Sequence, residues 1–405
     1  MCQYPLPNNL QPTMLSVMGG STPERGATAP PAAGPSAARD LNTTRVVSLL
    51  RDGGPLTQAE LIRRSGLARP TVTAIIRDLL VRHVVVAAGR DTSAVNGRPG
   101  ALLAFDPRSE TVAVVRVLPG VIEIWVADSE ADFLGHRRRA GHVDTVAGLG
   151  QLSAEIAQLA LDLGLSQPRS IGMLLVGRHD PSTGLCAGPA LGADPVPLTR
   201  LEERLGAAVT VLNPTAAAAL GVARSGRHSD AVVIFLDRGI GAGIVCGGQV
   251  LLGAAGGAGE LGHCRLPGAA APCPCGRSGC LETVAAGWYL HERATEILGA
   301  RTMVPSTLAG LEDLDHPAID RLLDGAARQL GLAASWLVNS LDPRALLLGG
   351  TPYAAGAERF LASFADSVRK NATADRRSAL IIDFAGSTAD IDGAAQAALD
   401  RLTLR

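Results

Sequence analysis

The stretch Gly257–Glu282, GAGELGHCRLPGAAAPCPCGRSGCLE, sets one histidine and three close-spaced cysteines in a segment rich in glycine and proline. Cys273, Cys275 and Cys280 follow a C-x-C-x4-C spacing, and His263 stands ten residues ahead of the first of them. Pro272, Pro274, Gly276 and Gly279 bend the backbone enough for the sulfurs to converge. Three thiolates and one imidazole in fourfold coordination suit Zn²⁺. Four protein ligands leave no position open to water, so such a metal is structural rather than catalytic. A disulfide, or cysteines buried independently of one another, is the competing reading. Nothing in the chain points to the oxidising compartment that a disulfide needs.

Upstream of this segment the chain changes character. Between Arg39 and Gly100 ten arginines face five acids, although the whole 405-residue chain has a net charge of only −1. A basic module on an acidic body points to a polyanionic partner for the module alone. Its pattern is helical from Asp40, with Val46, Val47, Leu49 and Leu50 on one side and a stop at Gly53-Gly54-Pro55. Thr57-Gln58-Ala59-Glu60 is a capping box that opens a second, short helix, and Ser65-Gly66-Leu67 supplies a tight turn. A third helix follows over about Arg69–Arg82, with Val72, Ile75, Ile76, Leu79 and Leu80 as its apolar face. Val84–Val86 and Ala101–Leu103 then bracket a polar loop. Helix, helix, glycine turn, helix and a two-stranded wing make a winged helix-turn-helix, whose partner is double-stranded operator DNA. The start of the third helix reads the major groove. The DNA-contacting set is Arg69, Pro70, Thr71, Thr73 and Arg77 of that helix with Arg98 of the wing. Arg98 either enters a narrow minor groove or touches phosphate.

Residues 1–38 are rich in Pro, Ala, Gly and Ser without apolar periodicity and read as a disordered tail. They lack the basic start and apolar run of a secretory signal, and no apolar stretch is long enough to span a bilayer. The expected location is cytoplasmic, with no membrane partner. After Asp106-Pro107, β-like runs alternate with helical ones over some 300 residues. They include the hairpin strands Val112–Val117 and Val121–Ala127, and a long helix from about Ile319 to Leu341. This is an α/β body with two lobes.

The run ELGH followed by CPCGRSGCLE resembles the signature of the ROK family, which contains bacterial sugar kinases and sugar-responsive transcription repressors. The resemblance extends from about Leu41 onward. It implies an actin-like sugar kinase fold with a ligand cleft between lobes. The expected domains are the tail 1–38, a winged helix-turn-helix 39–105, a first lobe 106–228 completed by a C-terminal helix 388–405, and a second lobe 229–387 carrying the zinc loop 263–280. By the same resemblance Asn213, Glu260, His263 and Glu282 match positions that hydrogen-bond sugar hydroxyls. Glu260 and Glu282 otherwise only brace the zinc loops.

Where the family's kinases carry a catalytic Asp, this sequence has Pro214. Their D-x-G-x-T phosphate hairpin corresponds to Arg116-Val-Leu-Pro-Gly120. Proline has no side-chain acceptor and cannot take a proton, a loss of roughly 10²–10⁴ in rate. Arg238–Gly243 and Leu347–Gly350 keep glycine turns that folding needs whether or not a nucleotide binds. Ala190 replaces an expected Asn, which removes one sugar contact. The expected function is a DNA-binding regulator, most simply a repressor, that senses a sugar or related metabolite and acts as a homodimer or tetramer. It is expected not to be an enzyme. The alternatives are a sugar kinase with an N-terminal extension, and a regulator that uses the kinase fold as a ligand-independent scaffold.

Overall fold

The computed structural model describes residues 35–91, 100–118, 120–141, 143, 146–180, 182–188, 191, 194–299, 301–350, 356–375 and 378–403. It divides into two compact units, one of residues up to Ile75 with Gly89–Leu103, the other of Ile76–Ala88 with Ala104 onward.

The N-terminal module begins with α1, Pro35–Gly53, so the helix starts inside the stretch 1–38 that was expected to be tail. β1 (Leu56–Thr57) leads into α2 (Gln58–Ser65). The capping box is present in full: the Glu60 amide donates to Thr57 Oγ1 at 3.3 Å, and the Thr57 amide donates to Glu60 Oε2 at 2.9 Å. α2 ends at Gly66 in the left-handed region (φ 67°), where glycine costs nothing sterically. α3 spans Arg69–Val81 although Ala68 offers no side-chain cap. β2 (Val85–Arg90) and β3 (Ala101–Phe105) form a sheet in the order β1-β3-β2. The pairing of β1 with β3 was not foreseen, because two residues show no periodicity. Val46, Leu50, Leu61, Val72 and Ile75 are buried, as their spacing predicts, but Leu80 is exposed.

In the other unit two five-stranded sheets carry the architecture. The first contains β4 (Thr111–Leu118), β5 (Val121–Asp128), β6 (Phe133–Ala140), β7 (Ser170–Leu175) and β11 (Ala208–Leu212), in the order β11-β7-β4-β5-β6. β4 and β5 form the expected hairpin, and β7 lies parallel to both β4 and β11. A small sheet of β8 (Arg178–Asp180), β9 (Leu185–Ala187) and β10 (Val196–Pro197) branches off before β11. Helices α4 (Val146–Asp162) and α5 (Leu198–Leu205) belong with the first sheet, whose core includes Ile122, Ile124, Leu152, Ile156, Ile171 and Leu201.

The second sheet runs β14-β13-β12-β15-β16, built from β12 (Ala231–Leu236), β13 (Ile240–Cys246), β14 (Gln249–Val250), β15 (Ala345–Gly349) and β16 (Ile381–Phe384). It repeats the plan of the first: an antiparallel hairpin β12-β13, then the parallel neighbours β15 and β16. α7 (Glu282–Ala285), α8 (Gly287–Leu298), α9 (Leu308–Glu312), α10 (Pro317–Leu341) and α11 (Glu358–Asn371) bring apolar residues to its core, among them Leu290, Leu308, Leu330 and Phe360.

Two helices link the sheets. α6 (Pro214–Arg224) packs on β12 and β13, and α12 (Ala389–Thr403) packs on β4, β7 and α6. Their backbones nearly touch, since a Cβ at Gly393 would stand 1.8 Å from the Ala217 carbonyl oxygen. Small residues at such a crossing replace side-chain contact with close main-chain contact. This is the two-lobed, actin-like α/β arrangement.

Candidate metal centre and ligand cleft

Within Gly257–Glu282 the chain folds as a short hairpin. Isolated bridges join Arg265 to Cys280 and Pro272 to Ser278. The Cys273 amide donates to the Arg277 carbonyl at 2.7 Å, and the Leu281 amide donates to the Cys264 carbonyl at 3.0 Å. His263 comes from a single 3₁₀ turn, Leu261–His263, just before the hairpin. These bonds bring one ligand atom from each of His263, Cys273, Cys275 and Cys280 within 4.8 Å of one another.

Cys273 Sγ lies 3.8 Å from His263 Nδ1, and Cys275 Sγ lies 3.6 Å from Cys280 Sγ. A tetrahedron with metal–sulfur bonds near 2.3 Å has edges of about 3.8 Å, so the four atoms fit a tetrahedral ion. The sulfur pair is too far apart for a disulfide bond. Thiol chemistry also fits a cation. Burial pushes the Cys273 thiol up and the Cys280 thiol up to about 12. The backbone N–H of Arg277, then its guanidinium, hold Cys275 down to about 6. Buried sulfurs that resist ionisation need a positive charge at their centre before they can be thiolates. With Nδ1 on the sulfur side, His263 Nε2 faces Glu260 Oε2 at 4.0 Å.

The candidate sugar-binding residues divide in two. Glu260 is exposed, with Oε2 toward His263. Glu282 is engaged: Oε1 accepts from the Ile240 amide at 2.9 Å, and Oε2 from Trp288 Nε1 at 3.5 Å. Asn213 is engaged as well, because it caps α6. Its Oδ1 accepts from the Ala216 amide at 2.7 Å and from the Thr215 hydroxyl at 2.8 Å. Pro214 is the first residue of that helix, where a missing N–H costs nothing.

Glu282 and α6 both meet the start of β13. Glu282 holds Ile240 from one side, and Thr215 packs from the other. Arg238–Gly243 is not wholly the glycine turn that was expected, since Ile240–Gly243 belong to β13, and the strand glycines act as spacers: a Cβ at Gly243 would stand 2.2 Å from the Thr215 carbonyl oxygen and 2.7 Å from Ala219 Cβ. Gly243→Ala is therefore expected to destabilise the chain by about 1–3 kcal/mol, read as a lowered denaturation midpoint without loss of bound metal.

The β4-β5 hairpin carries a buried charge cluster. Arg116 is buried; its Nη2 stands 2.7 Å from Glu123 Oε2 and its Nη1 3.3 Å from Asp390 Oδ2. Its guanidinium carbon also lies 5.1 Å from the Trp125 ring centroid. Sequence reasoning singled out Arg116 as a lost acid but missed both partners, since Asp390 comes from α12 at the far end of the chain.

On the module, Arg69, Pro70, Thr73 and Arg77 are exposed and Thr71 is half-buried, all on α3. Arg98 and Ala190, expected in the wing and among the sugar contacts respectively, lie outside the described residues. No helix among the described residues is long and apolar enough to cross a membrane.

Comparisons with known proteins address the module and the fold of the body. A family model for winged helix-turn-helix DNA-binding matches residues 39–85. The DNA-binding transcriptional dual regulator NagC of Escherichia coli is 25% identical over 328 residues, covering 77% of this chain and 80% of that protein. Among solved structures, a ROK family transcriptional regulator described as a homologue of the E. coli MLC protein has a TM-score of 0.67 and 25% identity, and covers 89% of this chain and 96% of that one. A ROK hexokinase from Thermus thermophilus has a TM-score of 0.61 and 27% identity over 73% of this chain and all of its own. The regulator thus covers a larger share of the chain than the kinase does. With the ROK family model matched over residues 122–399, this chain belongs to the ROK family, in a form that carries an N-terminal winged helix-turn-helix.

Proposed function

We propose that the chain is a DNA-binding transcription regulator, a repressor, whose kinase-derived body senses a sugar or sugar-derived metabolite and has lost phosphoryl transfer. The observation that carries the reading is α3, whose first turns present Arg69, Thr73 and Arg77 to solvent after a capped α2 and a glycine turn. Loss of catalysis is supported by Pro214 at the base position and by Arg116, whose charge is spent on Glu123 and Asp390. A kinase needs a positioned acceptor and a glycine hairpin open to phosphates, and neither chemistry is available from these side chains.

His263, Cys273, Cys275 and Cys280 would hold Zn²⁺, which when bound supplies a fixed cross-link for the hairpin. Glu260 would meet sugar hydroxyls from its exposed position, and His263 Nε2 would orient that carboxylate. Glu282 and Asn213 would act mainly by holding Ile240 and α6 in place, with any sugar contact made by their remaining polar edges. Domain closure around the sugar would lower operator affinity in a dimer. The lobes would divide as 106–228 with 388–405, and 229–387.

The test combines two measurements on the full chain. Selection from a randomised duplex library should enrich a defined site, and Arg69→Ala should weaken that site by roughly 1–3 kcal/mol while relaxing one base position. A sugar panel with ATP should shift thermal stability for one sugar class without nucleotide turnover. Sugar-dependent ATP hydrolysis at about 1 s⁻¹ or faster, with no enriched duplex, would establish the kinase reading instead.

A further inference from the structure

Gln58 is the first residue of α2, directly after the Thr57 cap, and is half-buried against α3. Its Nε2 donates to Thr73 Oγ1 at 2.6 Å, and the Thr73 hydroxyl in turn donates to the Arg69 carbonyl at 2.8 Å. That second bond decides the first. Because the only hydroxyl hydrogen of Thr73 goes to Arg69, its oxygen must accept, so Gln58 must present its amide nitrogen rather than its carbonyl. The side-chain amide is thereby held in one orientation, with Oε1 and the second N–H unengaged among the described residues. The backbone beneath it is also fixed, by the capping box and by the pairing of Thr57 with Leu102.

We infer that Gln58 is a base-reading residue, with Thr73 as its positioning residue, and that the amide recognises an adenine in the major groove. The inference rests on the DNA-binding reading above. An amide that offers one acceptor and one donor side by side matches adenine, which presents a donor at N6 and an acceptor at N7. A phosphate accepts only, so it would satisfy the N–H and leave the carbonyl against an anion. Fixing the amide before DNA arrives removes rotamer entropy that an unrestrained glutamine would lose on binding. Thr73 then contributes by positioning, since its donor hydrogen and one of its acceptor lone pairs are already directed within the module.

The experiment is selection from a randomised duplex library with the full chain, followed by anisotropy titrations on the selected duplex at several salt concentrations. Wild type is expected to enrich a site containing an A·T pair that Gln58→Ala no longer prefers, with binding about 5- to 150-fold weaker. Gln58→Glu, which offers acceptors only, should move the preference at that position toward cytosine. Thr73→Val should relax the same position by a smaller factor. Circular dichroism and the thermal midpoint of each variant report whether the module is folded, and Gln58→Glu keeps the question answerable if Gln58→Ala is unstable. Unchanged base preference in both Gln58 variants overturns the inference while leaving the regulator reading intact. So does uniform weakening across sequences with a salt slope lower by about one, which marks a phosphate contact. Enrichment of no sequence by wild type brings down the regulator reading and this inference together.

Discussion

Purified chain is expected to carry one zinc ion per molecule, and Cys280→Ser to lose both the ion and the fold of the Leu261–Glu282 segment. Cys280 is 1% exposed, and its backbone bridges Arg265 at the base of the hairpin. A serine hydroxyl there is a poor zinc ligand and leaves a buried polar group in place of a sulfur. Structural zinc contributes on the order of 10 kcal/mol to local folding, so the expected loss exceeds that of an ordinary core substitution. Damage should spread two residues along the chain. Glu282 holds the Ile240 amide and the Trp288 indole, and without an anchored hairpin both bonds loosen. Trp288 emission should therefore shift on chelation, together with a fall in thermal midpoint. Cys246→Ser, an exposed cysteine outside the cluster, is the control and should change neither. Metal analysis that finds no zinc, with Cys280→Ser as stable as wild type, would refute the assignment.

The hairpin was legible because its information is local: ligand types, spacing and turn residues all lie within twenty-six letters of sequence. The same holds for the capping box at Thr57, the β4-β5 hairpin and the long helix α10, each specified by its own periodicity or cap. What escaped depends on distant partners. β6 reads FLGHRRRA, a charged run without strand alternation, and it is a strand because it completes the edge beside β5. Arginines suit such an edge, where apolar side chains would invite pairing with other chains. α1 starts at Pro35 within a compositionally tail-like stretch, since proline is well placed in a first helical turn. Asn213 and Glu282 were read as ligand-facing from resemblance, while their bonds to Ala216 and Ile240 needed coordinates. Thr73 looked like a base contact by position on α3, and only the bond from Gln58, fifteen residues earlier, reveals its second task.

Arg116→Ala is expected to cost about 3–5 kcal/mol of stability at pH 7, because it leaves buried carboxylates without their cation. The two carboxylates fare differently. Glu123 keeps Arg138 at 3.7 Å, an arginine that is largely exposed and therefore a weak substitute. Asp390, almost wholly buried, has Arg116 as its ion-pair partner among the described residues and bears most of the loss. In the wild type, burial already lifts the Asp390 carboxyl above its ordinary value, against the downward pull of Arg116. Removing that pull raises it further. An acid whose folded value lies above its unfolded value favours the folded state as pH falls through the folded value, and that advantage disappears as pH rises. The deficit of Arg116→Ala should thus be largest near pH 7 and narrow as the pH is lowered, as Asp390 takes up a proton and ceases to need a partner. Arg116→Lys keeps the charge but lacks the fork that reaches both carboxylates, so it should fall between the alanine variant and wild type. Arg116→Leu combined with Asp390→Leu should lie closer to wild type than Arg116→Ala alone, because Asp390 is then no longer stranded and only Glu123 is left, with Arg138 as its weak partner. Urea denaturation at pH 7 and about pH 5 measures each of these. A deficit under 1 kcal/mol at pH 7, or one that widens on acidification, would show that the triad does not hold α12 against the β4-β5 hairpin.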